Sequence, residues 1–216
     1  MFAPVKSALG NTMGQVIVND VAFLCFIPMK LKSEAGDALA EFIQNVGIPS
    51  ALLIDEAKGL TLGKWRRIRL EYAIKQTQIE PHSPWQNRAE GAIRELKHHV
   101  QRLMNHQQTP HHLWDFCAVY VLEIRSLTAN SLYSLHSRTP YELVTGNTPN
   151  ISEYTEFDWY QPVWYMDTGS FPEEKLLMGR WLGVAHRIGQ AMCYWILPQS
   201  GVPIARTTVQ QVTAKN

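Results

Sequence analysis

Two acidic residues stand where a metal-dependent phosphoryl-transfer site could use them. Asp55 directly follows the apolar run ALLI at 51–54, and Glu90 stands near the start of a long segment with helical periodicity. Open α/β sheets bind their ligands where strands end, so a carboxylate at that point is well placed. A site with two Mg²⁺ ions about 3.5–4 Å apart needs carboxylates from elements that meet in space. Both acids are therefore candidate metal ligands and candidate catalytic residues.

Two basic residues should share a helical face with Glu90. Glu90, Arg94 and Lys97 are spaced i, i+4 and i+7, which puts them on one side of a helix. Such a face can hold nucleic-acid phosphates next to a carboxylate. It can also form an ordinary helix salt bridge worth about 0.2–0.5 kcal/mol, and lone acids more often cap helices or face water. Spacing alone does not decide between these interpretations.

The segments around these residues alternate between strand and helix patterns. This alternation favours an α/β sheet with helices on its faces. The predicted elements are a β-hairpin over 14–20 and 21–29, a helix with Ser33 as N-cap, a short buried strand over 51–54, a helix over 60–74, a strand over 75–79, and long helices over 87–104 and 112–128. In the helix over 60–74, we expect five residues to be partly inside: Leu62, Trp65, Ile68, Leu70 and Tyr72.

The composition changes after residue 150. Aromatic strand patterns cover 159–166, 179–186, 191–198 and 203–212, with turn signals between them, and they predict a small antiparallel barrel or sheet. The aromatic side chains could stack on bases, but core packing of a small β-domain is the favoured role. The sequence therefore predicts two domains, over 1–150 and 151–216.

Composition excludes several functional classes. The chain has 216 residues, 45% of them hydrophobic, and a net charge of only +1, so any nucleic-acid contact must come from local clusters. Three cysteines far apart argue against a disulfide framework or a zinc knuckle and favour a reducing compartment. The longest apolar run is far too short to span a bilayer. We expect an intracellular protein, nuclear or cytoplasmic, with no membrane role.

A longer motif connects the acids to a known family. The stretch EPHSPWQNRAEGAIRELKHHV over 80–100 resembles the integrase loop and helix that carry the third catalytic acid, and Asp55 precedes Glu90 by 35 positions, close to the spacing of DDE recombinases. Three further segments extend the resemblance over nearly the whole chain: SALLIDEAKGL, LWDFCAVYVLEIRSLTANSLY and TPYELVTGNTPNISEY. Together they resemble the integrase region of copia-type LTR retrotransposon polyproteins, a retroviral-integrase-like group.

The resemblance implies a fold and a site. It implies an RNase H-like integrase core over 1–150 and a small β-barrel-like domain over 151–216. Asp55 then matches the second catalytic acid and Glu90 the third, and both would hold Mg²⁺ or Mn²⁺. The resemblance assigns DNA contacts to two basic residues and to the polar tip of a mobile loop: Arg94, Lys97, Gln86 and Asn87.

The resemblance also implies partners and a reaction. The intact parent would carry out DNA integration by polynucleotidyl transfer, acting on element ends and target DNA together with the rest of its polyprotein, as a homo-oligomer. Phosphate contacts of this kind supply affinity and register but little sequence discrimination.

The first acid of the family has no counterpart here. In the family it lies on a strand ahead of the hairpin, whereas no acid precedes Asp20, which falls in the predicted hairpin turn. We therefore expect a chain that is truncated at its N-terminus and lacks its first strand, with Met1 an internal methionine. Gly59 departs from the family pattern, where an acidic residue is common, and favours a decayed copy. Arg88 stands where the family more often has glycine, which indicates a less mobile loop.

Three alternatives follow from the missing acid. The chain is a metal-dependent DNA recombinase if a partner or upstream sequence supplies the acid. It is otherwise a non-catalytic nucleic-acid-binding remnant, or a globular binding module whose acids are structural. We expect the isolated chain to be catalytically silent.

Overall fold

Helices and strands alternate along the chain and form a mixed α/β structure. The structure, a computed structural model, describes residues 1, 3–55, 60–79, 88–129, 135–167, 169, 175–186, 188 and 192–212. The helices are α1 (Ala35–Asn45), α2 (Gly63–Glu71), α3 (Arg88–His106), α4 (Trp114–Leu127), α5 (Pro140–Thr145) and α6 (Ser152–Thr155). The strands are β1 (Met13–Val18), β2 (Leu24–Met29), β3 (Ala51–Ile54), β4 (Lys75–Gln78), β5 (Pro162–Asp167), β6 (Lys175–Val184), β7 (Tyr194–Pro198), β8 (Ile204–Arg206) and β9 (Val209–Gln211).

The strands form three sheets. β1 and β2 pair antiparallel with Val18 opposite Leu24, which confirms the predicted hairpin. β3 and β4 pair parallel, and the last five strands form an antiparallel sheet in the order β8-β7-β6-β5-β9, which confirms an antiparallel sheet after residue 150. Because the first two pairs do not join among the described residues, an RNase H-like sheet is not established and stays a prediction, as does the domain boundary at residue 150.

The helices and strands pack around three apolar clusters of described residues. In the first, α3 and α4 pack on the hairpin around Leu96 and Cys117, both fully buried, and Leu182 of β6 joins them. In the second, α1 packs on the hairpin, β3 and α2. The third lies in the C-terminal sheet around Trp181, which is also fully buried. The aromatic side chains of the last section therefore serve mainly as core, because rings of this size bury large apolar areas.

A buried polar link attaches the N-terminal loop to α4. Asn11 Nδ2 donates a hydrogen bond of 2.8 Å to Asp115 Oδ2, and the backbone N–H of Phe116 donates to Asp115 Oδ1 at 3.0 Å. Asp115 is only 1% exposed, so these bonds compensate the cost of burying its carboxyl group. Within the described ranges, no helix is long and apolar enough to cross a membrane.

The predicted helix start at Ser33 is wrong. Residues 32–34 form a short 3₁₀ turn, and Glu34 occupies the position before α1. The carboxylate of Glu34 accepts a hydrogen bond of 2.7 Å from the backbone N–H of Lys30. Glu34, and not Ser33, therefore satisfies a backbone donor in the turn that leads into the helix. Ser33 lies inside the 3₁₀ turn and therefore cannot be the residue that precedes the helix.

Two predictions of burial are also wrong. β3 is a strand, but Leu53 is 54% exposed because only one face of β3 is covered by the second cluster, where Ile54 is buried. In α2, Trp65 and Ile68 are buried as predicted. Three residues that were expected to be partly buried are exposed instead: Leu62, Leu70 and Tyr72. The helix is shorter than predicted, and it turns these side chains away from α1.

Candidate nucleic-acid interface

α3 presents one apolar face and one charged face. Leu96, Val100 and Met104 are buried, at i, i+4 and i+8, and fix the helix on the first cluster. This burial leaves the opposite side of the helix in solvent, as expected for an amphipathic surface helix. The orientation of the charged face is therefore set by packing and not by the charged residues themselves.

The predicted residues of α3 lie together on its exposed side. Glu90, Arg94 and Lys97 are exposed and line a shallow depression of about 600 Å³, together with His98. The spacing thus predicted their common face, while their roles stay predictions. His98 was not among the predicted site residues, although its i+4 spacing from Arg94 indicates the same face.

The ordinary salt bridge between Glu90 and Arg94 is not formed. In the described part of the chain, no carboxylate lies within ion-pair distance of Arg94 or Lys97. Glu95 pairs instead with Arg125 of α4, where Arg125 Nη2 lies 2.9 Å from Glu95 Oε2. Arg94 and Lys97 are therefore available for an anion from solution.

The amino group of Met1 lies near the strand β1. It donates a hydrogen bond of 2.8 Å to the Gly14 carbonyl. Burial lowers the pKa of this amino group, and the charge of Lys97 lowers it further. Both effects disfavour the charged form of the amino group, so it is not counted among the cations of the α3 face.

The described residues do not assemble a metal centre. Asp55 is exposed at the end of β3, as the strand prediction required, but it does not line the depression that contains Glu90. Among the described residues, no group of three or more His, Cys, Asp or Glu side chains could hold a metal ion. The assignment of Asp55 and Glu90 as metal ligands therefore stays a prediction.

Two predicted DNA contacts, Gln86 and Asn87, lie outside the described residues, so their role stays a prediction. Three basic residues of α2 are exposed, Lys64, Arg66 and Arg67, and Lys64 pairs with Asp37 of α1. These basic residues therefore lie on a different helix from Arg94 and Lys97.

The chain matches no protein-family model and no curated protein sequence. Among solved structures, it is similar to a chain in the cryo-EM structure of a simian T-cell lymphotropic virus intasome in complex with the PP2A regulatory subunit B56 gamma. The TM-score is 0.45 and the sequence identity 15%, over 94% of this chain and 81% of that chain. Similarity at this level does not assign the chain to a family.

Proposed function

We propose that this chain is an integrase-type fragment of a copia-type retrotransposon polyprotein that binds nucleic acid through the exposed face of α3. The observation that carries the proposal is the pair Arg94 and Lys97, both exposed and neither within ion-pair distance of a described carboxylate. Cations on a fixed helix face bind backbone phosphates and position a duplex without reading its sequence.

The integrase motif over 80–100 supports a wider role for the intact parent. That parent would have an RNase H-like core and carry out DNA integration by polynucleotidyl transfer, as a DDE recombinase. Asp55 and Glu90 would then hold Mg²⁺ or Mn²⁺, and Gln86 and Asn87 would contact DNA. Its partners would be the element ends, the target DNA, other copies of itself and the remaining polyprotein.

The alternative is a non-catalytic nucleic-acid-binding remnant of a decayed element. The missing first acid of the family supports this alternative for the isolated chain, because a divalent ion would lose one of its carboxylate ligands. We expect no Mg²⁺-dependent strand transfer by the purified chain. Detectable transfer that disappears in Glu90→Gln would contradict this expectation.

Binding is tested by fluorescence anisotropy with duplex DNA over a series of salt concentrations. The double variant Arg94→Ala with Lys97→Ala should bind more weakly and lower the slope of log K against log salt by about 2, since each phosphate contact contributes about 0.9. The matched control is Lys6→Ala with Lys30→Ala, which removes two exposed cations outside α3. Equal slopes for the two double variants would refute the α3 interface.

A further inference from the structure

An open cleft lies between the β1–β2 hairpin, α4 and the C-terminal sheet. Its volume is about 600 Å³, and its lining comes mainly from β2, α1, α4, α6 and β6. Sites for small organic molecules are clefts of about 300–1,000 Å³ with mostly apolar walls and a few polar groups that fix the ligand. The cleft is therefore large enough for a small organic ligand, and its polar groups decide which chemical class fits.

Aromatic rings form part of the cleft wall. Tyr120 and Trp195 line the cleft and are only half-buried, so parts of both rings are open to it. Trp195 is held in place by an edge-on contact with Phe116, whose ring centroid lies 5.5 Å from its own. Such rings cover apolar groups and also attract cations, because the face of an aromatic ring carries partial negative charge.

The charged groups that line the cleft are acidic, with one exception. The exception is His186, whose Nε2 lies 3.0 Å from Glu123 Oε1. Among the described residues of the lining there is no Lys or Arg. The lining carboxylates are those of Glu41, Asp115, Glu123 and Glu153. The cleft therefore favours a positively charged ligand.

Two of these carboxylates act on the same hydroxyl group. Glu123 accepts a hydrogen bond of 2.9 Å from Tyr154. Burial raises the pKa of Tyr154, and the charges of Glu123 and Glu153 raise it further, so both charges are felt at this end of the cleft. Glu153 itself makes no hydrogen bond or ion pair with another described residue. A cation here would pair with Glu153 and reduce the repulsion between the two carboxylates.

We infer that the cleft binds a small organic cation, in which an ammonium or guanidinium group meets Glu153 and Glu123 and an apolar body covers the open parts of Tyr120 and Trp195. A bare metal ion would meet the carboxylates but leave the rings in water. A neutral apolar molecule would cover the rings but leave Glu153 without a partner, and an anion would be repelled. The inference does not depend on the nucleic-acid role of α3.

NMR titration of the isotope-labelled full chain tests the chemical class. The probe is phenethylammonium, and its matched controls are phenethyl alcohol and phenylpropionate, which carry a neutral and an anionic group on the same phenyl body. The cation should shift the indole N–H signal of Trp195, which Trp195→Phe assigns. It should bind about tenfold or more tightly than the alcohol, since its hydrogen bonds join charged groups. Equal affinities for the cation and the alcohol, or binding of neither, would overturn the inference.

A charge-removing variant tests the position of the cation. Glu153→Gln should lower the affinity for phenethylammonium to about that for the alcohol and leave the affinity for the alcohol unchanged, because the shape is kept and the charge is lost. Glu153→Lys should prevent binding of the cation. Both variants should keep the thermal midpoint of the wild type, since Glu153 makes no hydrogen bond or ion pair with another described residue.

The matched control is Glu71→Gln. Glu71 is an exposed carboxylate at the end of α2 and does not line the cleft. Its loss should leave the affinity for phenethylammonium at the wild-type value. Equal losses of affinity in Glu71→Gln and Glu153→Gln would indicate general attraction to surface charge and would overturn the inference. An unchanged affinity in Glu153→Gln would overturn it as well.

Discussion

Tyr154 donates a hydrogen bond of 2.9 Å to Glu123 Oε2, and this bond ties α6 to α4. His186 Nε2 lies 2.9 Å from the same hydroxyl and 3.0 Å from Glu123 Oε1. Because the single hydroxyl proton of Tyr154 points to the carboxylate, His186 must carry a proton on Nε2 to donate to these oxygens. Burial raises the pKa of Tyr154, and the charge of Glu123 and the hydrogen bond to it raise it further, so the phenol stays a donor.

Tyr154→Phe should lower the free energy of unfolding by about 1–3 kcal/mol, because the half-buried Glu123 loses a donor. Urea denaturation measures the change. The control is Tyr160→Phe, which removes a hydroxyl that makes no hydrogen bond to a described residue and keeps the ring under Arg180. If Tyr160→Phe lowered the free energy of unfolding as much as Tyr154→Phe, the stabilising role of the Tyr154 hydrogen bond would be contradicted.

Tyr194 should titrate late in the folded chain. Burial is the main cause that raises the pKa of Tyr194 to about 12, and the charges of Glu156 and Glu153 and the hydrogen bond of 3.3 Å to Glu156 contribute to the same rise. Between the ordinary value of 10.0 and about 12, the folded state keeps a proton that the unfolded state loses. Stability that is present below pH 10 should therefore fall as the pH rises toward 12.

Glu156→Gln tests the electrostatic part of this shift. It should move the pKa of Tyr194 down toward the ordinary tyrosine value, because the repulsion between two negative charges disappears. NMR titration of ring-labelled tyrosine, with Tyr194→Phe to assign the signal, measures the pKa. An unchanged pKa in Glu156→Gln would contradict the contribution of Glu156 and leave burial and the charge of Glu153 as the causes.

Two helical glycines should respond to alanine with opposite signs. Gly36 lies where α1 meets α2, and a Cβ there would lie 2.7 Å from both Lys64 Cβ and the backbone nitrogen of Trp65. Gly36→Ala should therefore destabilise the chain by about 1–3 kcal/mol, because the helices must separate. At Gly91 in α3, no described atom lies within 4 Å of the added Cβ. Gly91→Ala should stabilise the folded chain by about 0.5–1 kcal/mol, measured by thermal unfolding. Stability changes of the same sign in Gly36→Ala and Gly91→Ala would contradict the close contact between α1 and α2.

Elements with a strong local pattern could be predicted from the sequence. The long helix expected over 87–104 is Arg88–His106 in the structure, because its apolar residues recur without interruption at helical spacing. The hairpin of β1 and β2 follows from two β-branched and aromatic runs that meet at a turn. The exposed positions of Leu53, Leu62 and Leu70 could not be predicted, because hydrophobic type shows which residues can be buried and not which face another element covers.

The sequence by itself determined that Glu90, Arg94 and Lys97 share a face, because the spacing of residues on a helix is a local property. Only the tertiary structure decided that Glu95 pairs with Arg125 and that Glu123 meets Tyr154. These contacts join positions far apart in the chain, and their geometry follows from how α3, α4 and the C-terminal sheet pack on one apolar cluster.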